Sequence, residues 1–189
     1  MKEKRAQVAI AAIGLAGRSM FFDVPHFHRG GETVHASAFH EEWGGKGLNQ
    51  AVAAARQGAR VAFLGKAGTE GDAAAIAAFC RKERIAPFVR FDARPAAPTA
   101  CAAILTDGTG ETRVTVARGA ELRAEDVDAA FAAEIEAADV LLLNNEVPDE
   151  VNLAASEIAA AAGVKIVFNP APARPPPAEL ACRDTPADD

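Results

Sequence analysis

Four short apolar runs constrain this chain more than any other feature. Residues 7–14 (QVAIAAIG), 60–65 (RVAFLG), 139–143 (DVLLL) and 164–168 (VKIVF) show no alternation of polar and apolar side chains. A strand that is apolar on both faces must be covered on both faces, which is the condition of a parallel sheet flanked by helices. Helical stretches lie between and after these runs. Residues 48–57 contain no Gly or Pro and are closed by Gly58. Residues 72–84 are rich in alanine and space Ile76, Phe79 and Cys80 by three and four. Residues 123–137 carry their acids early, as the helix dipole prefers, and residues 149–162 form a further helical stretch. The expected class is α/β.

Other segments are half-polar and break this pattern. Residues 19–24 (SMFFDV) are strand-prone and stop at Pro25. After the Gly30-Gly31 turn, residues 32–40 alternate loosely, with Val34, Ala36 and Ala38 expected on one face. Residues 88–91 suit a short strand. Residues 99–105 and 111–117 read as a hairpin around Asp107, Gly108, Thr109 and Gly110. The pieces near 19–40 and 99–117 are expected to form a small separate sheet. At 189 residues the chain suits one ordinary domain and would crowd two.

The strongest local signal is Gly44-Gly45-Lys46-Gly47-Leu48-Asn49-Gln50. Glycines ahead of a helix let the backbone approach a ligand, and the N–H groups there bind oxygen atoms. Lys46 and Asn49 are three apart and share a helical face. A plain turn into a helix needs only one of these glycines. The run is not the phosphate loop of the NTPases, because His40 stands where the first glycine would be and Gly47 follows the lysine. Nor do Gly14 and Gly17 make a dinucleotide fingerprint, since the middle glycine is missing and a strand follows.

The formal net charge of −6 argues against a nucleic-acid coat and against a basic membrane-binding surface. Cys80, Cys101 and Cys182 form no CxxC pair, which excludes a zinc ribbon or a thioredoxin motif and fits a reducing compartment. The charged start and the short apolar run at 8–13 do not make a signal peptide, and no stretch has the length of a membrane span. The expected location is the cytoplasm. His26, His28, His35 and His40 lie in the half-polar segment 19–40, with His26 and His28 expected on one strand face. They read as solvated or interface histidines, or as a metal site without carboxylates. Cys80 reads as a small buried hydrophobe.

Residues 44–73 (GGKGLNQAVAAARQGARVAFLGKAGTEGDA) resemble the first signature of the ribokinase-like (PfkB) carbohydrate kinases, nearest their ribokinase branch. Further stretches are similar in the family's order: Gly31-Glu32-Thr33-Val34, Pro98-Thr99-Ala100 with residues 107–120, Leu142-Leu143-Asn144-Asn145-Glu146, and Asn169-Pro170-Ala171-Pro172-Ala173-Arg174. The resemblance implies a three-layer α/β sheet with a small β lid, all within one unit spanning 1–189. It also implies transfer of the ATP γ-phosphate to a sugar hydroxyl with Mg2+, and a homodimer contact through the lid. It places Gly44, Gly45, Lys46 and Asn49 against sugar hydroxyls, and Glu146 at a strand end where a carboxylate accepts from them. A solvated acid ahead of Pro148 would carry the same glutamate. Asn169 is expected to hold its own loop.

Two positions depart from the family pattern. Its Asn-x-Asp after the first strand is replaced by Gly17 and Ser19, so Ser19 offers a hydroxyl where a carboxylate grips the sugar. The Gly-rich D-T-x-G-A-G-D run, with the general base and the anion hole, is not found in the 189 residues. Residues 184–189 match only the start of the segment that organises the metal. The expectation is the substrate-binding half of a sugar kinase, with the C-terminal part of the fold missing and no catalytic residue assigned. The competing expectation is an inactive truncated fragment that acts at most as a sugar-binding or dimerisation module.

Overall fold

A computed structural model describes residues 7–92, 97–175 and 177–181. Strands β1 (Ala9–Ile13), β4 (Arg60–Ala67), β5 (Ile85–Phe91), β8 (Val140–Asn144) and β9 (Lys165–Asn169) form one sheet in the order β5-β4-β1-β8-β9. Every pair in it is parallel. Four of these are the apolar runs of the sequence, with β1 central; the fifth, β5, contains the short strand expected at 88–91 and begins three residues earlier, at Ile85. In β1, Ala11, Ala12 and Ile13 are fully buried.

Helices cover both faces. Helices α1 (Lys46–Arg56) and α2 (Glu70–Lys82) pack on one side, around Phe63, Leu48, Ile76 and Cys80. Helices α3 (Ala129–Glu136) and α4 (Asp149–Ala161) pack on the other, around Phe131, Ile135, Leu141 and Val151. The three-layer α/β architecture is as expected. Fully burying a side chain such as Phe131 contributes about 2–3 kcal/mol. Caps fix the helix starts: the Thr69 hydroxyl accepts from Asp72 N at 3.1 Å, and the Asp128 carboxylate accepts from Phe131 N at 3.1 Å.

A second sheet has the order β3-β2-β6-β7, built from β2 (Gly17–Asp23), β3 (Ala38–Gly44), β6 (Cys101–Thr106) and β7 (Thr112–Ala117). β2 pairs with β3 and β6 with β7 as antiparallel hairpins, and β2 with β6 in parallel. Each hairpin interrupts a crossover of the main sheet, one between β1 and α1 and the other between β5 and β8.

Three expectations need correction. The strand expected at 32–40 begins only at Ala38, because its partner β2 ends at Asp23, which pairs with Ala38. Glu32 closes the preceding loop on itself through Arg29 N at 2.9 Å and His26 Nε2 at 2.9 Å. His26 and His28 therefore lie outside any strand and share no strand face. The helix expected over 123–137 is split into a 3-10 turn at Ala124–Asp126 and α3, because Asp128 caps a new helix start.

Candidate functional site

The C-terminal ends of β1 and β8 and the start of α1 meet under the lid sheet. There they bound a cleft of about 170 Å³. Gly44, Gly45, Lys46, Asn49, Glu146 and Ser19 all line it. The remaining lining is mostly small or apolar: Leu15, Gly17, Ala100, Cys101 and Ala102, with Val114 and Val116 from β7, and Arg18 at the edge of β2.

The glycines are required by close approach. Gly45 has φ 129°, a conformation that favours glycine, and a β-carbon there would collide with the Leu15 carbonyl oxygen. Across the β2–β3 ladder, a β-carbon on Gly44 would stand 2.6 Å from the Ser19 hydroxyl oxygen. Backbone and sugar-sized ligands can thus come close together on this floor.

Glu146 projects from the turn after β8 towards the start of α1. Its Oε2 accepts from the Lys46 backbone N–H at 2.5 Å, and its Oε1 lies 3.8 Å from Lys46 Nζ. Burial raises the Glu146 carboxyl above the ordinary glutamate value, and the Lys46 N–H and ammonium oppose that rise. The Lys46 side chain is 42% exposed, so its ammonium has solvent on one side and Glu146 on the other. Asn49 is exposed one turn along α1. Ser19 sits mid-strand between Glu42 on β3 and Ala102 on β6. Together these groups offer one carboxylate acceptor, one ammonium donor, one amide and one hydroxyl, a set matched to a polyhydroxylated small molecule.

Asn169 ends β9 opposite Asn144, one strand further from β1. The bonds that hold the loop after it come from Asn145, whose Nδ2 donates to the carbonyls of Pro172 (3.0 Å) and Arg174 (2.9 Å). Arg18, next to Ser19, turns to the other side of the lid sheet, 2.7 Å from Asp72. Sequence reasoning missed Asn144 and Asn152, which lie fully buried behind Glu146. The available signal was a polar residue closing an otherwise apolar strand. It also missed the link from Arg18 through Asp72 to Thr99, which has no local signature.

Among the described residues no group of three or more His, Cys, Asp or Glu side chains is placed to hold a metal ion. The cleft's carboxylate, Glu146, is already engaged by Lys46. These residues do not fit a Mg2+ site, and the metal segment suggested at 184–189 lies outside the described residues. Cys80 is fully buried and its thiol is pushed up to about 11 by desolvation. No described helix is long and apolar enough to cross a membrane.

The profile of "pfkB family carbohydrate kinase" matches residues 9–185. Ribokinase from Staphylococcus aureus is 35% identical over 175 residues, covering 90% of this chain and 57% of that protein. Ribokinase from Mus musculus is 31% identical over 173 residues, covering 90% and 53%. Among solved structures, ribokinase from Giardia lamblia superposes with a TM-score of 0.77 at 28% identity, covering 89% of this chain and 52% of that one. Ribokinase from Cryptococcus neoformans in complex with ADP gives 0.72 at 27%, covering 90% and 52%. The chain thus spans about half the length of the relatives it matches.

Proposed function

The chain belongs to the pfkB family of carbohydrate kinases, and on that premise we propose that it carries the sugar-binding part of a kinase that phosphorylates a hydroxyl of ribose or a related sugar with ATP. The observation that carries this reading is the convergence of Glu146, Lys46, Asn49 and Ser19 on one glycine-floored cleft at the ends of parallel strands. In it, Glu146 accepts from sugar hydroxyls, while Lys46 and Asn49 donate to sugar oxygens. The apolar side chains of Val114 and Val116 face the sugar's less polar side. Segments 19–40 and 99–117 act as the lid of a single unit spanning 1–189. The use of ATP is supported by the family and by the ADP complex of the Cryptococcus relative. The reading places the chain in the cytoplasm, where ATP is available, with a small-molecule sugar as partner and neither nucleic acid nor membrane.

Calorimetry of the purified chain with ribose, other pentoses and hexoses tests the binding reading. Saturable binding of at least one sugar, abolished by Glu146→Ala, is the expected result. No heat with any sugar would overturn it. ATP turnover with the same panel separates a kinase from a second reading, a sugar-binding or dimerisation module without turnover. That second reading is favoured by the exposure of Val114 (56%) and Val116 (57%) on β7, an edge strand of the lid sheet, an apolar surface suited to a second copy. Sugar-dependent release of ADP would exclude it.

A further inference from the structure

The side chain of Asn144 joins three elements beneath the cleft. Its Nδ2 donates to the Ile13 carbonyl at the end of β1 at 2.8 Å. Its Oδ1 accepts from the Glu146 backbone N–H at 3.0 Å. A β-carbon added to Gly47, in the first turn of α1, would lie 2.9 Å from the same Nδ2. The orientation of the amide is fixed by its partners, because the Ile13 carbonyl can only accept and the Glu146 N–H can only donate. Behind it, Asn152 Nδ2 donates to the Asn144 carbonyl at 2.9 Å, anchoring the residue to α4. Asn144 and Asn152 are both fully buried.

We propose that Asn144 is a positioning residue, whose amide sets the turn that aims the Glu146 carboxylate at the start of α1. The proposal rests on the reading of Glu146 as the sugar-binding carboxylate. The bond from Asn144 Oδ1 to the N–H two residues on is an Asx turn, which bends the chain sharply at the strand end. Without it β8 would run on, and Glu146 would leave the Lys46 N–H that its Oε2 meets at 2.5 Å. The residue type is narrowly specified. Aspartate keeps the acceptor for Glu146 N but loses the donor to Ile13 O. Serine is too short to reach both. Glutamine adds a methylene against Gly47, where there is no room. The same side chain therefore sets both the direction of the carboxylate and the spacing of the two elements whose ends frame the cleft.

The test is the titration of the Glu146 carboxyl by carbon-13 NMR in the full chain, with the signal assigned through Glu146→Gln, alongside calorimetry with ribose. In Asn144→Leu, which keeps the branched shape and the number of heavy atoms and removes both polar groups, the carboxylate is expected to swing towards solvent. Its midpoint should then fall towards the ordinary glutamate value, and ribose affinity should weaken about tenfold. A residue that only fills space would lower the melting temperature and leave both readouts unchanged; that result in a folded variant overturns the proposal. Asn144→Ala, which removes both bonds without adding bulk, serves if the leucine variant does not fold. Slow amide exchange at Glu146 N–H in the unaltered chain is required in any case, and fast exchange there overturns the proposal without any variant. If the unaltered chain binds no ribose, the sugar reading fails, while the carboxyl titration still decides what Asn144 does.

Discussion

The Arg18 guanidinium on β2 stands 2.7 Å from the Asp72 carboxylate in the first turn of α2, and 4.9 Å above the Trp43 ring. Asp72 also accepts from the Thr99 hydroxyl at 2.6 Å, and that hydroxyl accepts from Gly68 N–H at 2.9 Å. One carboxylate thereby ties the lid strand β2, the approach to β6 and the end of β4 to a single helix. The Thr99 hydroxyl and then Arg18 hold the Asp72 carboxyl below its ordinary value.

Asp72→Asn is expected to loosen the lid and to cost about 1 kcal/mol at neutral pH, a modest figure because Arg18 is half exposed. A lowered carboxyl stabilises the fold at pH above its ordinary value of 3.8, and that contribution is lost as pH falls through the lowered value. Urea unfolding at pH 7 and pH 3 checks both parts. The variant should differ from the unaltered chain at pH 7 and approach it in acid.

Glu146 has the opposite sign. Its carboxyl is raised by burial, so the folded state holds the proton more tightly than the unfolded one. Stability from this group falls as pH rises from the ordinary value of 4.5 through the raised one. Glu146→Gln removes the buried charge and should raise the melting temperature at pH 7 by a few degrees. Sugar affinity should fall by about tenfold or more, as the charged acceptor is lost. A melting curve and a calorimetric titration on the same sample would show whether the two effects separate.

Gly47→Ala is expected to destabilise by about 2 kcal/mol or more. Its β-carbon would stand 2.5 Å from the Ile13 carbonyl oxygen and 2.6 Å from Gly14 Cα, both backbone atoms that cannot turn aside. Gly58→Ala makes the control for strain without crowding, since nothing stands within 4 Å of its added carbon although its φ is 94°. Chemical denaturation should rank Gly47→Ala as the more damaging of the two.

Ser19→Asp should tighten ribose binding about tenfold by restoring a charged acceptor beside Gly44. Dissociation constants for ribose and for 2-deoxyribose, with and without the substitution, check it. Unchanged ribose affinity in a folded variant would mean that the sugar does not reach β2.

Cys101, half-buried on the Arg18 side of the lid sheet, is expected to be alkylated by iodoacetamide in the folded chain at pH 8 at a rate that sugar leaves unchanged. Cys80, with its thiol pushed up to about 11 and no surface exposed, should react only on unfolding. Mass spectrometry of the digested protein reads the order.

The main sheet was legible because four of its five strands are apolar runs without alternation, and the central ones can only be buried on both sides. The cleft was legible as well, since three glycines with Lys46 and Asn49 have little use in a plain turn. The β3 boundary was not, because it depends on where β2 ends rather than on residues 32–40 themselves. Helix 123–137 looked continuous because Asp126 and Asp128 read equally as early helical acids and as caps; the bonds they accept from Arg123 N and Phe131 N decide the matter. The role of Asn144 was only half legible: its turn to Glu146 is local, but its partner Ile13 is brought to it by the pairing of β1 with β8.

The lid leaves and rejoins the body at neighbouring points. Gly17 pairs with Gly44 where the first hairpin departs and returns, and Cys101 pairs with Ala117 at the base of the second. Each hairpin is therefore a cassette whose two cut ends already touch. The body can accept a longer, shorter or foreign hairpin at either place without re-registering the parallel strands below. The chemistry of the roof can then diverge between relatives while the floor, with Glu146 and its glycines, stays as it is.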